Sequence, residues 1–342
     1  MRHTLFVLAM LLSVVPSFAQ ITTASRKPGP LAHTFSIVAR DPQTGEIGVA
    51  VQSHWFAVGG EVPWAEAGVG AVATQSFVDP SYGPLGLQQM RMGKSAPDAL
   101  KGLIAGDDGR DVRQVAMIDA KGHIQAWTGA KCVQSAGQIV DEQNQFSVQA
   151  NMMANPNIWP AMAKAYRETK GDLADRLLAA LDAAQAAGGD LRGRQSAAII
   201  VVKAQSSGKP WQDRIFDLRV DDNAYPLKEL RRLVGLQRAY NHMNAGDLAS
   251  EKNDAEGMLR EYSAAEKIAS SIPDVPQSRL NEMMYWHAVG LVSVNRLDDA
   301  LPLFKKVFAS DSNWVEMTRR LPKSGLLPDD PKLIEKIVSQ AK

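Results

Sequence analysis

Strand-like runs crowd one part of this chain and are absent from the rest. Short apolar or alternating stretches recur at 34–39 (TFSIVA), 47–53 (IGVAVQS), 68–76 (GVGAVATQS), 114–119 (QVAMID), 124–128 (IQAWT), 147–151 (SVQAN) and 197–203 (AAIIVVK). Asp41, Pro42 and Gly45 punctuate the first pair with turn residues, so that pair reads as a hairpin. The unbroken apolar run at 197–203 suits a strand buried on both faces. Helical patterns fall between the strands: Ser95-Ala96-Pro97-Asp98 reads as a cap ahead of Leu100, Leu103 and Ile104, and Asp172 heads Leu173, Leu177, Leu181 and Ala184 at helical spacing. Hairpins in place of strict strand–helix alternation predict an α+β layered domain over 34–222, not a doubly wound parallel sheet. The strands are too many for one sheet.

After Pro226 the texture changes. Residues 227–240, 258–270, 279–294 and 298–309 all read as amphipathic helices, so 223–342 is predicted to be an all-α domain. Within it, 284–313 resembles a tetratricopeptide repeat, with Ala288 and Leu291 on one helix and Leu297, Ala300, Phe304 and Val307 on the next. One fair repeat and one degenerate one should lean on the first domain for stability, so Phe304 and its neighbours are expected to pack against it. A length of 342 residues accommodates two such domains.

At the front of the chain, Arg2 and His3 precede an apolar run at 5–15, and Ser17-Phe18-Ala19 offers small residues at a cleavage site. Residues 1–19 therefore read as a signal peptide, and 20–33, polar and proline-bearing, as a leader or linker without regular structure. A periplasmic or secreted protein is expected, with no membrane span after signal cleavage, because the apolar run is shorter than a bilayer requires. Lys and Arg number 38 against 37 Asp and Glu, a balance that argues against nucleic-acid binding by phosphate neutralisation. The single cysteine, Cys132, excludes an intrachain disulfide and reads as a small core residue. No histidines pair at metal-ligand spacing, and no metal or cofactor is expected. The GxGxxA string at 68–73 lies inside a strand-like run with no helix start after it, so it reads as glycines allowing close strand packing, not as a dinucleotide loop.

Thr34, at the head of the first strand, is the residue that can carry chemistry. An N-terminal threonine uses its own α-amine as general base for its hydroxyl, and a threonine with chain ahead of it does not.

A resemblance bears on this residue. The strings 33–41 (HTFSIVARD), 48–51 (GVAV), 68–75 (GVGAVATQ), 113–115 (RQV), 128–129 (TG) and 217–222 (DLRVDD) resemble the family called domain of unknown function 1028, grouped with the N-terminal-nucleophile (Ntn) hydrolases. The similarity covers about 34–222. It implies a four-layer αββα sandwich, with Thr34 as nucleophile and Ser53 as a neighbouring hydrogen-bonder. Thr74, Gln75, Arg113 and Asn151 are the implied substrate-lining residues. In the proteasome-like pattern an Asp-Ser-Arg corner orients the nucleophile; Gln52-Ser53-His54 stands in its place here, and no lysine matches the one that activates the threonine there. The resulting expectation is an exported amidohydrolase cutting an amide or peptide substrate, with the helical domain offering a surface to a protein partner. The rival expectation is a noncatalytic scaffold or cell-wall-binding protein, and self-association into a homo-oligomer is left open.

Overall fold

The structure is a computed structural model, and it describes residues 31–32 and 34–341. The signal-peptide reading, and all of the leader except Leu31 and Ala32, fall outside the described residues. In chain order the first domain contains β1 (Leu31–Ala32), β2 (Thr34–Arg40), β3 (Ile47–Ser53), β4 (Pro63–Glu66), β5 (Gly70–Phe77), α1 (Tyr82–Arg91), α2 (Ala96–Ala105), β6 (Arg113–Asp119), β7 (Ile124–Thr128), β8 (Gly137–Asp141), β9 (Phe146–Ala150), α3 (Ile158–Glu168), α4 (Leu173–Ala186), β10 (Ser196–Val202), α5 (Pro210–Asp213) and β11 (Arg214–Val220). Six further helices or helical continuations follow as α6 (Pro226–Glu251), α7 (Ala255–Ser271), α8 (Gln277–Ser293), α9 (Leu297–Ser310), α10 (Asn313–Arg320) and α11 (Pro331–Val338).

Two antiparallel sheets result. One runs β11-β10-β3-β2-β9-β8; the other runs β1-β5-β6-β7, with β4 also pairing with β5. The period-two alternation of side chains explains why they stack. In β2, Phe35, Ile37 and Ala39 face α3 and α4, while Val38 faces the other sheet; in β10, Ala197, Ile199 and Val201 take the helical side, and Ala198, Ile200 and Val202 the sheet side. In β5 and β6, Ala71, Ala73, Ala116 and Ile118 point between the sheets, whereas Val72, Val115 and Met117 pack under α1 and α2. The order is therefore helices, sheet, sheet, helices, the predicted αββα arrangement. Asp41 and Gly45 close the β2–β3 hairpin, with Gly45 N–H donating to Asp41 O at 2.8 Å and Gly45 at φ +75°, where a side chain would be strained. Ser95 caps α2 and Asp172 caps α4, each side chain accepting from the backbone N–H three residues on. Gly70 opens β5 against β6, where a Cβ would sit 2.4 Å from Ile118 O, the close strand packing expected there, whereas Gly68, at φ +72°, lies in the turn before the strand.

Two expectations are corrected. Leu31 and Ala32 are not irregular: they form β1 by pairing with Phe77 and Ser76 of β5, an edge that supplies backbone partners whatever the local sequence. The terminal helices also build a core of their own. Phe304 is fully buried against Tyr285 and Phe308, in a cluster of residues 284–338 on which Leu259 of α7 also packs, and not against the first domain. The junction is α6, whose first turns deliver Leu227, Leu230 and Val234 to the core beneath the β11-to-β8 sheet, and whose Arg231 and Arg238 pair with Asp182, Asp172 and Asp175.

Candidate active site

Thr34 starts β2, on the strand face turned toward the other sheet, and its side chain is fully buried. Strand pairing sets Thr34 opposite Ser53 on β3, and Ser53 in turn opposite Ser196 on β10. Thr34 Oγ1 donates to Ser53 Oγ at 3.0 Å. The carbonyl of Thr34 is gripped from two sides: Gln75 Nε2 donates to it at 3.1 Å, and the Asn151 backbone N–H does so at 3.1 Å.

These groups belong to a buried polar seam between the sheets. Gln75 and Gln114 lie side by side on β5 and β6, at the inward parity that Ala71, Ala73, Ala116 and Ile118 otherwise fill. Gln114 Oε1 accepts from Gln75 Nε2 at 2.7 Å and from Asn151 Nδ2 at 2.9 Å, while its own Nε2 donates to Thr128 Oγ1 at 2.8 Å and Ala150 O at 3.0 Å. Gln75 Oε1 accepts from Ser36 Oγ at 2.6 Å, and Gln149 Nε2 donates to the same hydroxyl at 2.6 Å. Every one of these amides is paired, so the seam is rigid; a half-satisfied seam in such a dry place would be costly. Just past Asn151 the backbone turns sharply, with Met152 at φ +57° and its N–H donating to Val133 O at 2.8 Å.

Of the six residues picked from sequence, Thr34, Ser53, Gln75 and Asn151 are brought together. Thr74 and Arg113 are not. They occupy the opposite parity of β5 and β6 and face the α1–α2 layer, where Thr74 Oγ1 donates to Asp79 O at 3.1 Å. Arg113, 2% exposed, donates through Nε to Asp107 at 2.9 Å and through Nη1 to Phe77 O at 2.6 Å. Asp107 also accepts from the Tyr82 hydroxyl at 2.9 Å and from Gly109 N–H at 2.7 Å. Burial by itself would raise the Asp107 carboxyl, but these donors outweigh it and hold the group below the ordinary carboxylate range. Arg113 is thus a structural cation one layer away from Thr34. Arg40 lies at the far end of β2, about 20 Å away by the rise per residue, and donates to Gln145 Oε1 at 2.8 Å.

Gln52, in the place of the orienting aspartate, shares the helical face of β3 with Ala50, opposite to the face on which Ser53 meets Thr34. A carboxylate at 52 would therefore point away from Thr34. The amide of Gln52 is buried, and neither its nitrogen nor its oxygen has a hydrogen-bond partner among the described residues. The side chains that hydrogen-bond Thr34 from the described residues, Ser53, Gln75 and Asn151, are all neutral. Gln114, the hub of the seam, was missed in the sequence, although an amide at an inward strand position was the available signal. Cys132 is buried as expected, its Sγ 3.3 Å from Arg113 O, and burial pushes its thiol up. Among the described residues no cluster of histidine, cysteine and carboxylate groups is arranged to hold a metal, and no helix is long and apolar enough to cross a membrane.

Fold and site together define a two-sheet αββα protein with a hydroxyl at the head of a buried strand and an amide cradle for that residue's carbonyl. Comparison with known proteins supplies the family. The model of the Family of unknown function (DUF1028) matches residues 34–230, and the chain belongs to that family. The match ends within α6, at the helix that joins the two parts. A crystal structure of a protein from Silicibacter pomeroyi, itself assigned to DUF1028, is similar at 31% sequence identity and a TM-score of 0.54, covering 64% of this chain and 89% of that one. No curated protein matches.

Proposed function

We propose that this protein is an exported amidohydrolase of the N-terminal-nucleophile type, with Thr34 as nucleophile. One observation carries the reading: Thr34 heads a strand between two sheets, its hydroxyl bonded to Ser53 Oγ at 3.0 Å and its carbonyl clamped by Gln75 and Asn151. A residue fixed in this way has its Oγ1 and its backbone nitrogen held in one geometry, which is what a threonine needs to act through its own amine. Removal of the chain ahead of Thr34 frees that amine, whose ordinary pKa of about 8 suits a base near neutral pH. Thr34 Oγ1 then adds to the substrate's carbonyl carbon, its proton passes by way of the amine to the departing nitrogen as the C–N bond breaks, and water hydrolyses the resulting ester. The signal-like residues 1–19 support export of the chain before this maturation.

The test is the mass of the protein from its native envelope. Wild type should begin at Thr34 and Thr34→Ser should be cut in part, whereas Thr34→Ala should keep residues ahead of position 34 and lose amidase activity while remaining folded. Fully active protein that retains those residues would overturn the assignment. A specific observation favours a second reading, a noncatalytic scaffold that recruits a partner through α6 to α11. The side chains of Ser53, Gln75 and Asn151 that hydrogen-bond Thr34 are neutral, and Arg113, the cation picked from the sequence, is committed to Asp107. That reading predicts an uncut chain with no amidase activity.

A further inference from the structure

We infer that the edge of β5 at Ser76 and Phe77 is a binding strip for the acyl side of an extended peptide substrate, and that the uncut chain fills this strip with its own Leu31–Ala32. The inference deepens the Thr34 reading and rests on it.

The evidence is the layout of β5. One edge of this strand is taken by β6 from Gly70 to Ser76. On the other edge β4 covers Gly70 to Ala73, and Thr74 N–H donates to Val62 O at 3.1 Å. Beyond Thr74 the edge belongs to Leu31, opposite Phe77, and Ala32, opposite Ser76. Alternation through Gln75 places Ser76 N–H on the same side as Thr74 N–H, toward Ala32, so we take Ser76 and Ala32 as the hydrogen-bonded pair, in which Leu31 N–H faces away. The direction matters as much as the register. β1 runs antiparallel to β5, toward Gln75, whose side chain holds the Thr34 carbonyl. A peptide lying in this lane therefore brings its C-terminal end to Thr34, with its acyl residues paired upstream.

The strip is also built to keep its shape when vacated. Arg113 Nη1 fixes Phe77 O at 2.6 Å, and Asp107, which also accepts from the Tyr82 hydroxyl, fixes Arg113. Ser76 sits at φ +74°, a conformation that a non-glycine residue holds only when its surroundings enforce it. Recognition by main-chain pairing selects an extended backbone and tolerates varied side chains, so the substrate class is a peptide, not a compact small amide. In the reaction the peptide's acyl carbon bonds to Thr34 Oγ1, its C–N bond breaks with the proton delivered to the leaving amine, and water releases the acyl part from the strip.

Hydrogen exchange at the Ser76 amide, read in full-length Thr34→Ala protein, tests this without turnover. Exchange should be slow in that parent, at least about tenfold faster with Ala32→Pro, which deletes the N–H opposite Ser76, and nearly unchanged with Leu31→Pro, whose N–H faces away. The Ile118 amide in β6 should stay slow throughout and so report an intact sheet. Adding acetyl-Pro-Leu-Ala-His-amide to the Ala32→Pro protein should slow Ser76 again, and the same peptide N-methylated at its alanine should not. Equal effects of the two proline variants, no change with Ala32→Pro, failure of the peptide to restore protection, or equal restoration by the methylated peptide would each overturn the inference. Failure of the amidase reading shows itself elsewhere, as an absence of Thr34-dependent cleavage with the strip still binding peptide.

Discussion

Thr34 is held by its carbonyl at least as firmly as by its hydroxyl, and the holder of both amides involved is Gln114, which accepts from Gln75 at 2.7 Å and Asn151 at 2.9 Å. Gln114→Ala would strip one acceptor from each of these and leave Ala150 O without that donor, all in a fully buried place. Each buried group so orphaned costs about 1–3 kcal/mol, less whatever water refills the gap, so we expect a net loss of roughly 3 kcal/mol in a denaturant titration, with Thr34-dependent cleavage slowed as well. A loss under about 1 kcal/mol would show that the seam is not the rigid cradle its distances imply. The site was only partly legible in the sequence at this scale. Thr34, Ser53, Gln75 and Asn151 lie together in the fold, whereas Thr74 and Arg113, immediate chain neighbours of Gln75 and Gln114, lie apart from them. One step along a strand moves a side chain to the other face of a sheet, so an error of one residue is an error of a whole layer.

Between elements, the Arg113–Asp107–Tyr82 cluster ties the start of β6 to the α1–α2 layer and, through Phe77 O, to the end of β5. The folded-state pKa of Asp107 lies below its unfolded value, so the cluster's contribution is fully present above the ordinary carboxylate pKa, about 3.9, and is lost as pH falls through the lower folded value. The stability difference between wild type and Asp107→Asn should therefore be flat above roughly pH 5 and shrink only below about pH 4. Urea titrations across that range check it, and a difference already fading at pH 6 would assign the effect to another group. The capped helices α2 and α4 were legible because Ser95 and Asp172 announce them locally. Helix α1 was not, since its sequence carries Gly83, Pro84 and Gly86 in its first turns. It forms because those glycines let it lie directly on the Trp64 ring and on Met117, where a Cβ would come within 2.3 Å and 2.8 Å.

For the molecule as a whole, α6 is the one long element that serves both parts, buried at its start under the first domain's sheet and packed further along against α7. The terminal cluster around Phe304 has no member from the first domain. Phe304→Ala should cost about 3–5 kcal/mol, as truncation of a buried aromatic does, and that loss should appear as early melting of the terminal helices while Thr34-dependent cleavage persists. Calorimetry with limited proteolysis would separate the two transitions. A single transition that carries both parts down together would mean that α6 transmits the damage.

The sequence by itself determined where strands stop and helices take over, because the period of two and the helical spacing are written locally, and its family-like strings determined the αββα class and the place of Thr34 at the head of a strand. Tertiary structure decided the rest. Which face each polar strand residue takes, that Gln114 is the hub, and that Phe304 packs among its own helices all depend on register and stacking between segments far apart in the chain. Pairing of Leu31 and Ala32 with β5 is the clearest case: nothing in a polar, proline-bearing leader marks a strand, and only the open edge beyond Thr74 makes one there.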